Sequence, residues 1–247
     1  MTHPRRILYT LLTLVAAATA PALHGAAVVL PNSAASAEGN SGLNTALQTG
    51  PRTLQLQVAA SQLTDIPVGN YLNSLTFRQN GGGSAAPSSS YSYTQYKITL
   101  GAAANSIDEM SLTFADNMLS PVTVYDGPLT AVESSYPGGA TPNAWGPAII
   151  FEVPYQYQGG DLVLLLSHPA SSSGTGVLLD AVGEASTEFR SIRNSTTFDA
   201  ETANISDNVF TIVRLTHSAA VPEPEEMVIV AGAGLLAMAG WRRFRRA

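Results

Sequence analysis

The chain has 247 residues, no cysteine and a net charge of −6, which excludes disulfides, thiolate metal centres and a cysteine nucleophile. Charge is also unevenly placed: six of the eleven arginines lie near the two ends, and between Glu38 and Val221 six basic residues stand against fifteen acidic ones, a net of −9. So acidic a body argues against a nucleic-acid partner, which is bound through clustered positive charge.

At the amino end Arg5 and Arg6 precede an apolar run from Ile7 to Ala20 and then small residues, the pattern of a secretory signal peptide. Residues 1–27 are expected to be removed by a cut after Gly25-Ala26-Ala27. Ala18-Thr19-Ala20 is followed by Pro21, and Ala35-Ser36-Ala37 would move the cut as late as residue 37. The surroundings of the arginine pair fit a twin-arginine signal poorly. Residues 28–52 read as a flexible segment, polar and glycine-rich from Asn40 to Pro51.

Residues 53–217 read as one β-rich domain. Thr53 to Val58, T-L-Q-L-Q-V, alternates strictly and predicts a half-buried strand with Leu54, Leu56 and Val58 on one face. Further strands are expected at Leu72–Arg78, Tyr93–Leu100, Met110–Phe114, Pro121–Tyr125, Ala148–Val153, Leu162–Ser167, Val177–Val182 and Phe210–Thr216. The run from Leu162 to Leu166 is apolar throughout, which predicts a central strand covered on both faces. Asn80-Gly81-Gly82-Gly83-Ser84, Asp126-Gly127-Pro128, Pro137-Gly138-Gly139 and Gly159-Gly160-Asp161 supply turn chemistry between them. No intervening segment carries a sustained helical period, so the expected class is all-β: an antiparallel sandwich or jelly roll.

Few residues in this domain carry an obvious chemistry. His168 reads as a turn-edge residue and His217 as a solvated linker residue. No H-E-x-x-H or G-x-S-x-G is present. Glu133, Glu152, Asp161, Asp180 and Glu184 are the acids from which a hydrolase would draw a carboxylate pair. Asp199, Glu201 and Asp207, with Asn204 and Asn208, form the densest oxygen-rich stretch and are the calcium candidates, although a solvated acidic loop explains them as well. Trp145, in a Pro/Gly-rich loop, is the candidate for stacking on sugars, with Tyr91, Tyr93, Tyr96, Tyr155 and Tyr157 clustered in sequence around it. Core packing is the competing use for these rings.

The carboxyl end is the most specific part of the chain. A linker over residues 218–226 contains Val221-Pro222-Glu223-Pro224, an apolar run follows from Met227 to Trp241, and Arg242, Arg243, Arg245 and Arg246 close the chain. Basic residues beyond an apolar helix resist translocation and stay cytoplasmic, so this order leaves the domain on the other side of the membrane. Fifteen helical residues reach about 22 Å, short of a hydrocarbon core of about 30 Å. Val228 to Ala237 also fits G-x-G-x-x-A, but the chain ends too soon for the βαβ unit and distal acid of a dinucleotide site.

Motif, spacing and position together resemble the PEP-CTERM sorting signal of Gram-negative exported proteins. Thr53 to Leu63 (T-L-Q-L-Q-V-A-A-S-Q-L), Pro137 to Pro147 and Tyr155 to Leu162 likewise look like recurring segments of such proteins. The resemblance implies recognition of the Pro-Glu-Pro stretch by an exosortase, removal of the helix over residues 227–241 and delivery to the cell surface or matrix, beside exopolysaccharide. It implies no reaction and no cofactor. A carbohydrate-binding module is the alternative, followed by a secreted hydrolase.

Overall fold

The computed structural model describes residues 25–172 and 174–219. Residues 1–24 of the expected signal peptide, the expected motif Val221, Pro222, Glu223 and Pro224, the apolar run 227–241 and Arg242, Arg243, Arg245 and Arg246 lie outside the described residues. Among the described residues no helix is long and apolar enough to cross a membrane.

Strands carry the described chain: β1 (Ala26–Leu30), β2 (Ser41–Leu43), β3 (Arg52–Val58), β4 (Tyr71–Arg78), β5 (Tyr91–Ala103), β6 (Met118–Ala131), β7 (Trp145–Gln156), β8 (Leu162–His168), β9 (Leu179–Gly183), β10 (Phe189–Asn194), β11 (Ile205–Asp207), β12 (Val209–Thr211) and β13 (Val213–Ser218). Their pairings are antiparallel. One sheet runs β1-β13-β4-β7, a second β11-β10-β3-β8-β5-β6, and a small third β12-β9-β2. A single apolar cluster draws on the first two, with Leu72, Leu75, Phe77, Ile149 and Leu215 from one and Leu54, Leu56, Ile98, Leu100 and Leu164 from the other.

The apolar run at 162–166 becomes β8, held between β3 and β5, and its covering explains its composition. Leu162, Val163 and Leu164 are wholly buried, each contributing about 1.5–3 kcal/mol by leaving water. β3 differs from its half-buried expectation: Gln55 and Gln57, on the face away from the core, are buried too. Gln55 donates to the Phe114 carbonyl at 2.9 Å and Gln57 to that of Asn105 at 2.7 Å, because the segment 105–117 lies across that face.

That segment overturns one expected strand. Met110 to Phe114 forms no strand: short 3-10 turns at Ile107–Glu109 and Phe114–Asn117 flank it, and Met110 and Phe114 pack with Ile192 as a separate apolar plug. Asp126-Gly127-Pro128 is likewise no turn but part of β6, which runs past it with register shifts against β5. β13 begins after a break at Ile212, and β10 and β11 come from stretches too polar to show an apolar period.

The segment 28–52, expected as a flexible stretch, is built into the sheets and core. It supplies the last three residues of β1 and all of β2, and it buries Leu30, Leu43, Ala46 and Leu47. His217 is no linker residue: it lies in β13, 4% exposed, between Ala26 of β1 and Leu72 of β4. Among the turn residues, Gly138 is required by close approach, since a Cβ there would stand 2.2 Å from the Gly83 carbonyl oxygen.

Candidate functional site

β5 divides the molecule's polar side chains into two sets. A register shift between Tyr93 and Tyr96 breaks the two-residue alternation, so Tyr91, Tyr93 and Tyr96 all turn into the core. Their hydroxyls donate to three consecutive carbonyls: Tyr96 to Ala46 (2.9 Å), Tyr91 to Leu47 (2.8 Å) and Tyr93 to Gln48 (2.9 Å). His168 Nε2 lies 3.1 Å from the preceding carbonyl, Thr45, and its ring stacks on Tyr96 at 9°. Burial pushes the three tyrosine hydroxyls above the ordinary phenol range and holds His168 below the ordinary imidazole range. These groups fasten residues 45–48 to the core, and His168, at the end of β8 before Pro169, is buried there as a clamp.

Trp145 is partly buried against the core. The Arg78 and Arg214 guanidinium carbons lie 5.1 and 4.9 Å from its ring centroid, contacts of cation–π range. Arg78 is itself buried; its Nε donates to Asp180 at 2.7 Å and its Nη2 to the Ala37 carbonyl. Asp180 accepts a second bond from Gly39 N at 3.0 Å, while burial raises its carboxyl above the ordinary carboxylate range despite Arg78. Trp145 is thus half-buried with two guanidinium contacts on its ring, while Tyr155 and Tyr157 are buried.

The carboxylates singled out in the sequence are scattered. Asp180 is committed to Arg78, and Asp161 caps the Ala60 amide at 2.8 Å. Glu133, Glu152 and Glu184 are exposed. Among the described residues no three of His, Asp and Glu converge as metal ligands. Of the calcium candidates, Glu201 is exposed, and Asp199 accepts Lys97 Nζ at 3.0 Å and Ser167 Oγ at 2.6 Å. Asp207 falls in β11.

Asp199 and Glu201 do border a groove of about 670 Å³ on the outer face of the six-stranded sheet. Its floor follows from register: Lys97 stands opposite Ser167, and Thr99 opposite both Leu165 and Thr123. Phe114, Ala115, Met118 and Pro121 form one wall, while Asp199, Ala200 and Glu201 form another. Backbone bonds from Phe114 N to Glu201 O (3.1 Å) and Ala203 N to Leu112 O (2.8 Å) tie the two walls together. Asp199 holds φ at +50°, a conformation aspartate tolerates better than most residues. The sequence signal for this groove was available in the strand alternation, which puts Lys97 and Thr99 on the face away from Ile98 and Leu100.

The chain matches no protein-family model, no curated protein and no solved structure.

Proposed function

We propose that the protein is an exported cell-surface or extracellular-matrix protein whose carboxyl end is a PEP-CTERM sorting signal. An exosortase processes it, and the released domain resides beside exopolysaccharide without catalysis of its own. The observation that carries this reading is the order Val221-Pro222-Glu223-Pro224, apolar run, arginine cluster. What supports it in the fold is that β13, the last strand among the described residues, ends at Ser218, three positions before Val221 in the sequence. The two sheets around their common core are read as a jelly-roll-like sandwich serving as the delivered domain.

Intact-mass measurement of the exported protein tests the reading. A mass lacking the apolar run at 227–241 is expected. A mass running to Ala247 would make the tail a permanent anchor, and a domain shielded from protease in spheroplasts would overturn the orientation altogether.

The groove favours carbohydrate binding as a second reading, with its site moved from Trp145 to the outer sheet face. Thr99, Thr113 and Thr123 line it beside Leu165 and Phe114, a mixture of hydroxyl and apolar surface that suits a sugar's polar edge and apolar face. Retention on exopolysaccharide that survives Thr99→Val and Thr123→Val together would remove this groove from the account.

A further inference from the structure

The amino and carboxyl ends of the domain meet in one strand pair. β1 lies at the edge of its sheet with β13 as neighbour, and the ladder runs from Ala26 opposite His217 to Leu30 opposite Val213. Its burial is asymmetric along its length: Ala26 and Ala27 are exposed, whereas Val28 and Leu30 are 4% and 0% exposed and belong to the core. Beyond β1 the chain stays attached. Asn32 N donates to Gln62 Oε1 at 2.7 Å, Ala34 is buried, and the Ala37 carbonyl accepts from buried Arg78.

These contacts separate the small-residue triplets at which an export signal is cut. A cut after Ala27 removes two exposed alanines and leaves Val28, Val29 and Leu30 paired with Leu215, Arg214 and Val213. A cut after Ala37 removes all of β1, three buried apolar side chains and one partner of a buried guanidinium. It also turns β13 into an edge strand with an unpaired row of backbone groups, the arrangement that recruits foreign strands.

We propose that the amino-terminal cut leaves β1 on the exported domain, so that the mature chain begins no later than Val28 and Ala35-Ser36-Ala37 is not a processing site. The proposal rests on the export reading above. It makes β1 an edge guard for β13, and it puts the new amino terminus at the same corner of the domain as Ser218, the end of β13.

The test is amino-terminal sequencing of the full chain, expressed with its own signal in an exporting Gram-negative host. The expected first residue lies between Pro21 and Val28. A mature chain beginning at Glu38 overturns the proposal and leaves export standing; an unexported chain that keeps Met1 overturns both. Ala37→Gln, at an exposed position, provides the second arm, because a bulky residue blocks cleavage after it. An unchanged amino terminus and yield is the expected result, and loss of processing overturns the proposal. Deletion of residues 28–37 from the exported chain is expected to abolish a cooperative thermal transition, and an unaltered transition overturns the edge-guard role.

Discussion

The two faces of β5 use polar atoms in opposite ways. Inward, Tyr91, Tyr93 and Tyr96 direct their hydroxyls at backbone carbonyls of residues 46–48. Outward, Lys97 and Thr99 meet only side chains, Asp199 at 3.0 Å and Thr123 at 3.2 Å. A buried hydroxyl bonded to a carbonyl is part of the architecture, and its loss strands a partner that water does not reach. A half-exposed ion pair is nearly neutral for stability, so the outer face is free to vary with a ligand. Aromatic density along a sequence therefore marks where this fold is fastened, and a binding surface is to be sought where side chains bond to one another in reach of solvent.

The contrast is sharpest at Arg78 and Asp180, the charged extreme of the buried set. Asp180→Ala leaves a guanidinium 1% exposed facing Ala37 O and the Trp145 ring without its counter-charge. Removing one partner of such a pair costs about 3–5 kcal/mol, read as a fall in the urea midpoint at constant slope. A loss below about 1 kcal/mol, the range of surface pairs, would erase the distinction between the two faces.

Tyr96→Phe comes next. It keeps the ring, its packing and its stack on His168, and removes the bond to Ala46 O alone. An unsatisfied buried carbonyl costs about 1–3 kcal/mol. Because Tyr91 holds the adjacent carbonyl, Tyr91→Phe and Tyr96→Phe together are expected to depart from additivity. Strict additivity would mean that residues 45–48 are not held as a unit.

How much of this was legible in advance follows from the range of the forces involved. β3, β4, β7 and β8 were readable, because alternation or an unbroken apolar run records burial within a few residues. The wall formed by residues 105–117 was misread as containing a strand: Met110 and Phe114 are apolar for contact with Ile192 and the outer sheet face, a pairing that local period does not encode. His217 was misread for a similar reason. Its neighbours Ser218 and Ala219 look like linker, and only the return of β1 against β13 buries it. The groove was half legible: Asp199 and Glu201 were singled out as an acidic stretch, but Lys97, about a hundred residues away, converts Asp199 from a cation ligand into an ion-pair partner. The proposed sorting motif rests on order and spacing along the chain alone, and it lies outside the described residues.

The two buried histidines extend the comparison to pH. Burial lowers both, outweighing the carbonyl contacts of His168 and the attraction of Asp65 for His217. Asn70 Nδ2 approaches His217 Nδ1 at 3.0 Å; since an amide nitrogen donates, Nδ1 must accept, and a proton there would oppose it. A depressed folded value means that the unfolded chain binds more protons, so stability is complete above the unfolded value of about 6.5 and declines as pH falls below it. Asp180 runs the other way, its raised folded value adding stability as pH falls into the carboxylate range. Urea midpoints at pH 7.5 and 5.5 read the histidines, with the variant lacking both imidazoles carrying whatever Asp180 contributes. A midpoint lower at pH 5.5 is expected, with a smaller difference in the double variant His168→Gln, His217→Gln; a flat profile in the parent chain would show that neither imidazole stays neutral.

The smallest effect is expected on the outer face. Lys97→Met removes the cation from Asp199 while keeping the aliphatic stem that lies along the groove. The pair is 32% and 43% exposed, so the cost is below about 1 kcal/mol; Asp199 keeps its bond from Ser167, and the neighbouring Ala200 N still donates to Thr53 Oγ1 at 3.0 Å. A loss approaching that of Asp180→Ala would mean that the groove wall at 199–201 is a structural support. A change confined to ligand retention, with the melting temperature intact, would separate the outer face from the inner one by function as well as by geometry.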